Sequence, residues 1–265
     1  MLRLTKYHGL GNDFLVALWS DNPGLTPDPE QARAVCDRRR GVGADGLLYA
    51  LAPGGDEADV HMVLLNADGS EAEVSGNGIR CLGQAVLRHT GRREGDVIVE
   101  TAGGVRRLRT VRGQVDGELW MRVDMGAVRP GPALSPVAEA YPARRRATVD
   151  VGNPHLVLLV DDPGAVDLST DGPPLEASFP AGINVHVVAV PDAHDIRLRV
   201  WERGAGITQA CGSGAVAAVA AAHDWGLVGD RVEVHMPGGD ATVELADDTV
   251  YLTGPSTFVA EVMVP

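Results

Sequence analysis

The apolar positions of this chain fall into short β-rich runs and a few longer helical stretches. Leu15–Trp19, Asp59–Leu65, Val97–Glu100 and Glu118–Val123 are set apart by glycine turns and predict strands. Helices are predicted over Pro29–Arg39, where a proline lies near the first turn, and over Gly76–His89 and Gly212–Trp225, both rich in small and aliphatic residues. In Ala215–Ala222 apolar residues cover nearly every face, the pattern of a helix buried on all sides, so each half is expected to wrap its sheet around its own helix. The class is α/β or α+β.

The pattern occurs twice. EVSGNGIRC (Glu73–Cys81) returns as QACGSGAVA (Gln209–Ala217), which aligns Ser75 with Cys211. Gly11-Asn12 and Gly152-Asn153 recur at nearly the same spacing, as do Gly103-Gly104 and Gly238-Gly239. Each half therefore runs from a Gly-Asn turn through an apolar strand and a glycine-rich helix start to a Gly-Gly hairpin, which suggests duplication. The joint is expected in the proline- and glycine-rich segment Val128–Pro136. This divides the chain into 1–128, carrying Ser75, and 129–265, carrying Cys211, with the last strand free to pack back on the N-terminal half. Two similar domains facing each other would put Ser75 and Cys211 across a cleft.

Composition narrows the partners. With 265 residues, 45% of them hydrophobic, the chain can bury a sizeable core. A formal charge of -13 argues against nucleic acid or an anionic membrane surface, since both need a basic field. The stretch MLRLTKYHGLGNDF has no secretory pattern and no apolar run reaches the ~18 residues of a span, so the expectation is a cytosolic protein. Cys36, Cys81 and Cys211 are too few and too scattered for a disulfide framework, and free thiols are expected.

No cofactor is expected. Lys6 is the only lysine, and it lies in a strand-like segment without a phosphate loop, which speaks against a pyridoxal enzyme. GVGADG (Gly41–Gly46) follows a helical segment and precedes a strand-like one, the reverse of a dinucleotide site, and is expected to be a turn. Neither H-E-x-x-H nor a clustered His/Cys set points to a metal.

The chemistry suggested by the repeat lies at the two helix starts. Helix N-termini leave N–H groups unpaired, carry partial positive charge, and with glycine can hold a carboxylate or phosphate. A thiol at such a place, Cys211, is expected to ionise below its usual value of about 8.5 and to serve as base or nucleophile. Ser75 reads first as an N-cap. A ligand carboxylate held between two such starts would place its α-carbon between residues 75 and 211, a geometry suited to stereoinversion.

HGLGNDF (His8–Phe14), NADGSEAEVSGNGIRC (Asn66–Cys81), GNPH (Gly152–His155), ERGAGITQACGSGA (Glu202–Ala215) and MPGG (Met236–Gly239) together resemble the diaminopimelate epimerase family, nearly end to end and in the family's order. The resemblance implies two pseudo-symmetric domains, each a mixed sheet around a central helix. It also implies cofactor-independent interconversion of LL- and meso-diaminopimelate in lysine and peptidoglycan synthesis. On this likeness Asn12, Asn66, Asn153, Asn184 and Arg203 hold the substrate, chiefly at its non-reacting end. Gly76, Asn77, Gly212 and Ser213 bind the reacting carboxylate, and His155 and Glu202 assist the acid–base pair.

Two positions depart from the family pattern. Ser75 stands where the family has its first catalytic cysteine, either as a replacement that traps substrate or as a residue acting with water or with Glu73; a one-sided exchange or elimination is a third outcome. Gly46 stands where the family has a substrate-contacting glutamine. Cys81, more than one turn further into the helix, is expected in the core. A racemase or lyase for another amino acid, or a binding protein with impaired turnover, remain alternatives, and a homodimer is left open.

Overall fold

The computed structural model describes residues 1–72 and 75–265, so the expected role of Glu73 lies outside the described residues. The chain divides into two compact units, Met1–Asp124 with Thr253–Pro265, and Met125–Leu252.

The first unit is a closed ring of strands around a helix. Leu2–Gly9 pairs antiparallel with Asn12–Leu18, which pairs parallel with Gly46–Leu51. Val60–Asn66 follows antiparallel and Asp96–Thr101 parallel. Gly104–Val115 and Glu118–Asp124 complete an antiparallel meander. The last strand, Val250–Val264, pairs with both Glu118–Asp124 and Leu2–Gly9 and closes the ring, leaving no free sheet edge on this circuit.

Two helices belong to this unit. Helix α1, Pro29–Cys36, is capped by Asp28, which accepts from the Glu30 N–H, and it covers the outside of the ring through Ala32, Val35 and Cys36. It ends before the expected Arg39, because the Asp37 carboxylate accepts from the Arg39 and Arg40 N–H groups and turns the chain. Helix α2, Gly76–His89, has the expected limits and is buried from Gly76 through Leu87. Its fit inside the ring needs small residues: a Cβ on Gly83 would lie 2.8 Å from Leu108 Cδ2.

The second unit repeats the order of strand directions. Arg145–Asp150 and Pro154–Leu159 are antiparallel, Pro154–Leu159 and Asn184–Asp192 parallel, and Asn184–Asp192 and Asp195–Glu202 antiparallel. Arg231–Met236 then pairs parallel with Asp195–Glu202, and Gly239–Leu245 antiparallel with Arg231–Met236. The short strands Arg129–Pro130 and Gly206–Thr208 add to this sheet.

After α3, Pro136–Ala140, the unit contains α4, Leu168–Ala177, and the central helix α5, Gly212–Asp224. Helix α5 stops one residue short of the expectation, at the C-cap Trp225, and is buried along most of its length. Sequence reading missed α4 because Pro173 and Pro174 lie inside it and proline removes a helical donor. Tertiary packing overrides that cost: Leu168, Leu175 and Phe179 enter a core with Leu156, Leu158, Ile183 and Val185. The Gly41–Gly46 run is irregular until the strand starts at Gly46, and no helix follows it in the manner of a dinucleotide site.

Candidate active site

Each unit's central helix begins with a residue in extended conformation whose side chain closes the first turn. Ser75, half-buried, has φ -139° and ψ 110°, and its Oγ accepts from the Gly78 N–H at 2.9 Å. Cys211, buried, has φ -133° and ψ 114°, and its Sγ accepts from the Gly214 N–H at 3.3 Å. Both caps satisfy one otherwise orphaned donor and leave the backbone of the following glycine-rich turn at the positive end of the helix dipole.

In the first unit the helix start meets a chain of polar contacts. Asn77 Nδ2 donates to Asn12 Oδ1 at 3.3 Å, and Asn12 Nδ2 donates to Asp45 Oδ2 at 2.7 Å. Arg80, fully buried, donates to Asn77 Oδ1 at 2.7 Å, Gly76 O at 2.9 Å and Pro255 O at 3.2 Å, and burial pushes its guanidinium down to about 10. Both supports were absent from the sequence reading. The available signals were an arginine among the small and apolar residues of the first turns of α2 and an acidic residue inside the Gly41–Gly46 run.

Asn66 bonds instead within its own turn, donating from Nδ2 to Ser70 Oγ at 3.0 Å. It is the register partner of Gly46, the position expected to differ from the family. A Cβ on Gly46 would lie 2.9 Å from Leu65 O and 3.0 Å from Leu64 Cδ1, so the absence of a side chain there is built into the packing.

The second unit gathers more of the expected residues. Asn184 Oδ1 accepts from the Arg203 N–H at 3.0 Å, while its Nδ2 donates to Pro154 O at 2.9 Å. His155 lies 2.7 Å from Asn153 Oδ1 through Nε2 and 2.7 Å from His186 Nε2 through Nδ1. Ser213 Oγ is 3.5 Å from Cys211 Sγ.

The electrostatics of Cys211 differ from expectation. Burial drives the thiol well above its ordinary value, and the adjacent Glu202 carboxylate adds to this; the Ser213 hydroxyl and Gly214 N–H oppose it without prevailing. The helix start favours thiolate, but loss of water from around the sulfur and a neighbouring negative charge favour thiol more strongly. At neutral pH Cys211 is therefore a protonated thiol beside a carboxylate able to receive its proton. Thr208 Oγ1 donates to Glu202 Oε1 and anchors that carboxylate, a contact between separate strands that the sequence did not reveal.

The chain's sequence relatives point to one family. The sequence model of the family described as diaminopimelate epimerase matches residues 4–130 and 147–259. A diaminopimelate epimerase of Desulfitobacterium hafniense is 39% identical over 277 residues, covering 97% of this chain and 96% of that protein. Another, of Rhodospirillum centenum, is 42% identical over 266 residues, covering 96% and 89%. This chain belongs to the diaminopimelate epimerase family.

Solved structures share the family's fold at low identity. A hydroxyproline epimerase from Agrobacterium vitis superposes with a TM-score of 0.75 at 17% identity, covering 98% of this chain and 91% of that one. A phenazine biosynthesis protein of the PhzF family from Bacillus anthracis gives 0.71 at 17% identity, covering 100% and 99%. The paired mixed sheets around α2 and α5 are thus the two-part α+β fold expected for the family. Among the described residues no helix is long and apolar enough to cross a membrane.

Proposed function

We propose that this chain interconverts LL- and meso-diaminopimelate by proton exchange at the α-carbon, without a cofactor, in lysine biosynthesis. The observation that carries the proposal is the buried Cys211 thiol, seated on the start of α5 against the Glu202 carboxylate, in a chain that matches the family almost end to end. Glu202 takes the thiol proton as Cys211 acts on the substrate, and returns it when Cys211 acts as the acid. The sulfur is thereby a thiolate base during turnover and a thiol at rest.

Ser75 serves the opposite face of the α-carbon as a hydroxyl acid or through water, with residues 1–128 and 129–265 as the two domains and the last strand packing back on the first. An alkoxide forms far less readily than a thiolate, so exchange on the face served by Ser75 is the slower of the two. The N–H groups of Gly76, Asn77, Gly212 and Ser213 receive the reacting carboxylate, where charge builds as the α-proton leaves. Asn12, Asn66, Asn153, Asn184 and Arg203 hold the remaining amino and carboxylate groups.

The test is α-hydrogen exchange in D2O, followed by proton NMR, with each isomer separately and with both the native chain and Ser75→Cys. Interconversion of both isomers by the native chain supports the proposal with Ser75 as a working partner. Interconversion by Ser75→Cys alone assigns an epimerase pocket slowed at one face. Exchange by neither, with another amino acid exchanging instead, overturns the substrate.

A further inference from the structure

His186 has no place in the function so far described, yet it occupies a defined position between two of its parts. In the parallel register of Pro154–Leu159 and Asn184–Asp192, His155 partners Asn184 and Val157 partners His186. The two-residue strand period puts both histidines on one face of the sheet. Their rings are fully buried, with centroids 4.9 Å apart and planes inclined by 35°. On its other side His186 meets the first turn of α5, where a Cβ on Gly214 would lie 2.8 Å from His186 Nδ1. Glycine in the third position of that helix makes room for the imidazole.

Burial keeps both rings neutral. It pushes His186 down to about 3 and His155 well below its usual value, with His186 and Arg203 adding to the second shift. A neutral imidazole carries one N–H, so each close contact needs one donor and one acceptor. Asn153 Oδ1 accepts from His155 Nε2, which leaves His155 Nδ1 bare to accept from the His186 Nε2–H. His186 Nδ1 is then a bare lone pair, and it has no hydrogen-bond partner among the described residues. The opposite assignment would bury an unpaired N–H at that atom, the less tolerable of the two vacancies. Both ends of the chain give the same protonation pattern.

We propose that His186 is a positioning residue: its Nε2–H holds His155 in the Nε2–H tautomer, which grips Asn153 by its amide oxygen and leaves the Asn153 amide NH2 as the group presented to the substrate. The site is thereby set to meet an acceptor, a carboxylate oxygen, and not an ammonium group at Asn153. The assignment of Asn153 and His155 to the substrate site rests on the function proposed above; the tautomers do not.

The experiment therefore has two readouts. Long-range proton–nitrogen NMR of the protein labelled with 15N-histidine needs no substrate, and the Nε2–H form is expected for both His155 and His186. Steady-state kinetics with diaminopimelate then compares His186→Phe, which fills the space without a donor, with His186→Gln, whose amide can still donate. His186→Phe is expected to raise KM by roughly tenfold, the scale of one lost hydrogen bond, with a smaller change in kcat, and His186→Gln to restore most of the loss. An Nδ1–H form of His155 in the native chain, or a His186→Phe chain with native KM and tautomer, overturns the inference. If His186→Phe does not fold, the native spectrum and His186→Gln decide it. Absence of turnover by the native chain would defeat the proposed function and leave the tautomer result standing.

Discussion

Ser75 and Cys211 hold the same post on two different helices: each is the N-cap, each has extended backbone, and each accepts from the N–H of the glycine three residues on. An oxygen in one unit thus does the local structural work of a sulfur in the other. The two atoms differ in the ease with which they lose a proton, so replacement should separate structure from chemistry. Ser75→Ala is expected to cost about 1 kcal/mol of stability through the lost cap and to remove the remaining two-way interconversion. Cys211→Ala should lower α-proton exchange by at least ~10²-fold, the contribution of one acid–base group. Denaturant titration and exchange NMR on the same samples check both.

Glu202 makes the Cys211 thiol harder to ionise in the resting protein and, on the proposed function, receives its proton during turnover. Glu202→Gln should therefore shift the pH midpoint of thiol alkylation downward while lowering kcat. A glutamate with no part in proton transfer would lower the midpoint without lowering kcat. The raised thiols also affect stability. Burial pushes Cys36 and Cys81 up to about 12, and Cys211 is raised as well. A group whose folded value is raised contributes fully below its unfolded value and loses that contribution as pH rises toward the folded one. The midpoint of urea unfolding should accordingly fall from about pH 8.5 upward, and less steeply in Cys81→Ala.

Acid stability has the opposite origin. His155 and His186 are held neutral, with folded values below the unfolded value of about 6.5. Such a group contributes fully above its unfolded value and loses that contribution as pH falls toward the folded one, which for His186 is about 3. Stability is expected to drop through this window by about 1.4 kcal/mol per pH unit for each histidine. His186→Gln should flatten the fall, measured as the urea midpoint between pH 7 and pH 4.

Gly46 is closed to a side chain in the present packing. Gly46→Gln, although it restores the residue expected from the family pattern, is expected to lower stability by about 1–3 kcal/mol, because its Cβ would press on Leu65 O and Leu64. It should not raise turnover. A second substitution, Leu64→Ala, would relieve the contact with Leu64 Cδ1 but not the one with the Leu65 carbonyl, so the double variant is expected to recover only part of the lost stability, measured by thermal unfolding.

Much of this protein was legible before any coordinates. The limits of α2, the Ser75 cap, the burial of α5 and the repeated order of elements follow from stretches of a few adjacent residues. A cap is set by φ, ψ and a side chain three residues from its donor, and an all-apolar helix has nowhere to go but inside. What only the tertiary structure decided came from groups far apart in the chain. The closure of the first ring joins Leu2 to Val264, and Arg80 reaches Pro255. Helix α4 survives two prolines because a core forms against it. The state of the Cys211 proton is the sharpest case. Sequence alone showed the helix dipole that favours thiolate; burial and Glu202, brought up by a separate strand, favour thiol. Proton affinity sums every charge and every lost water around an atom, and those are fixed only when the chain has folded.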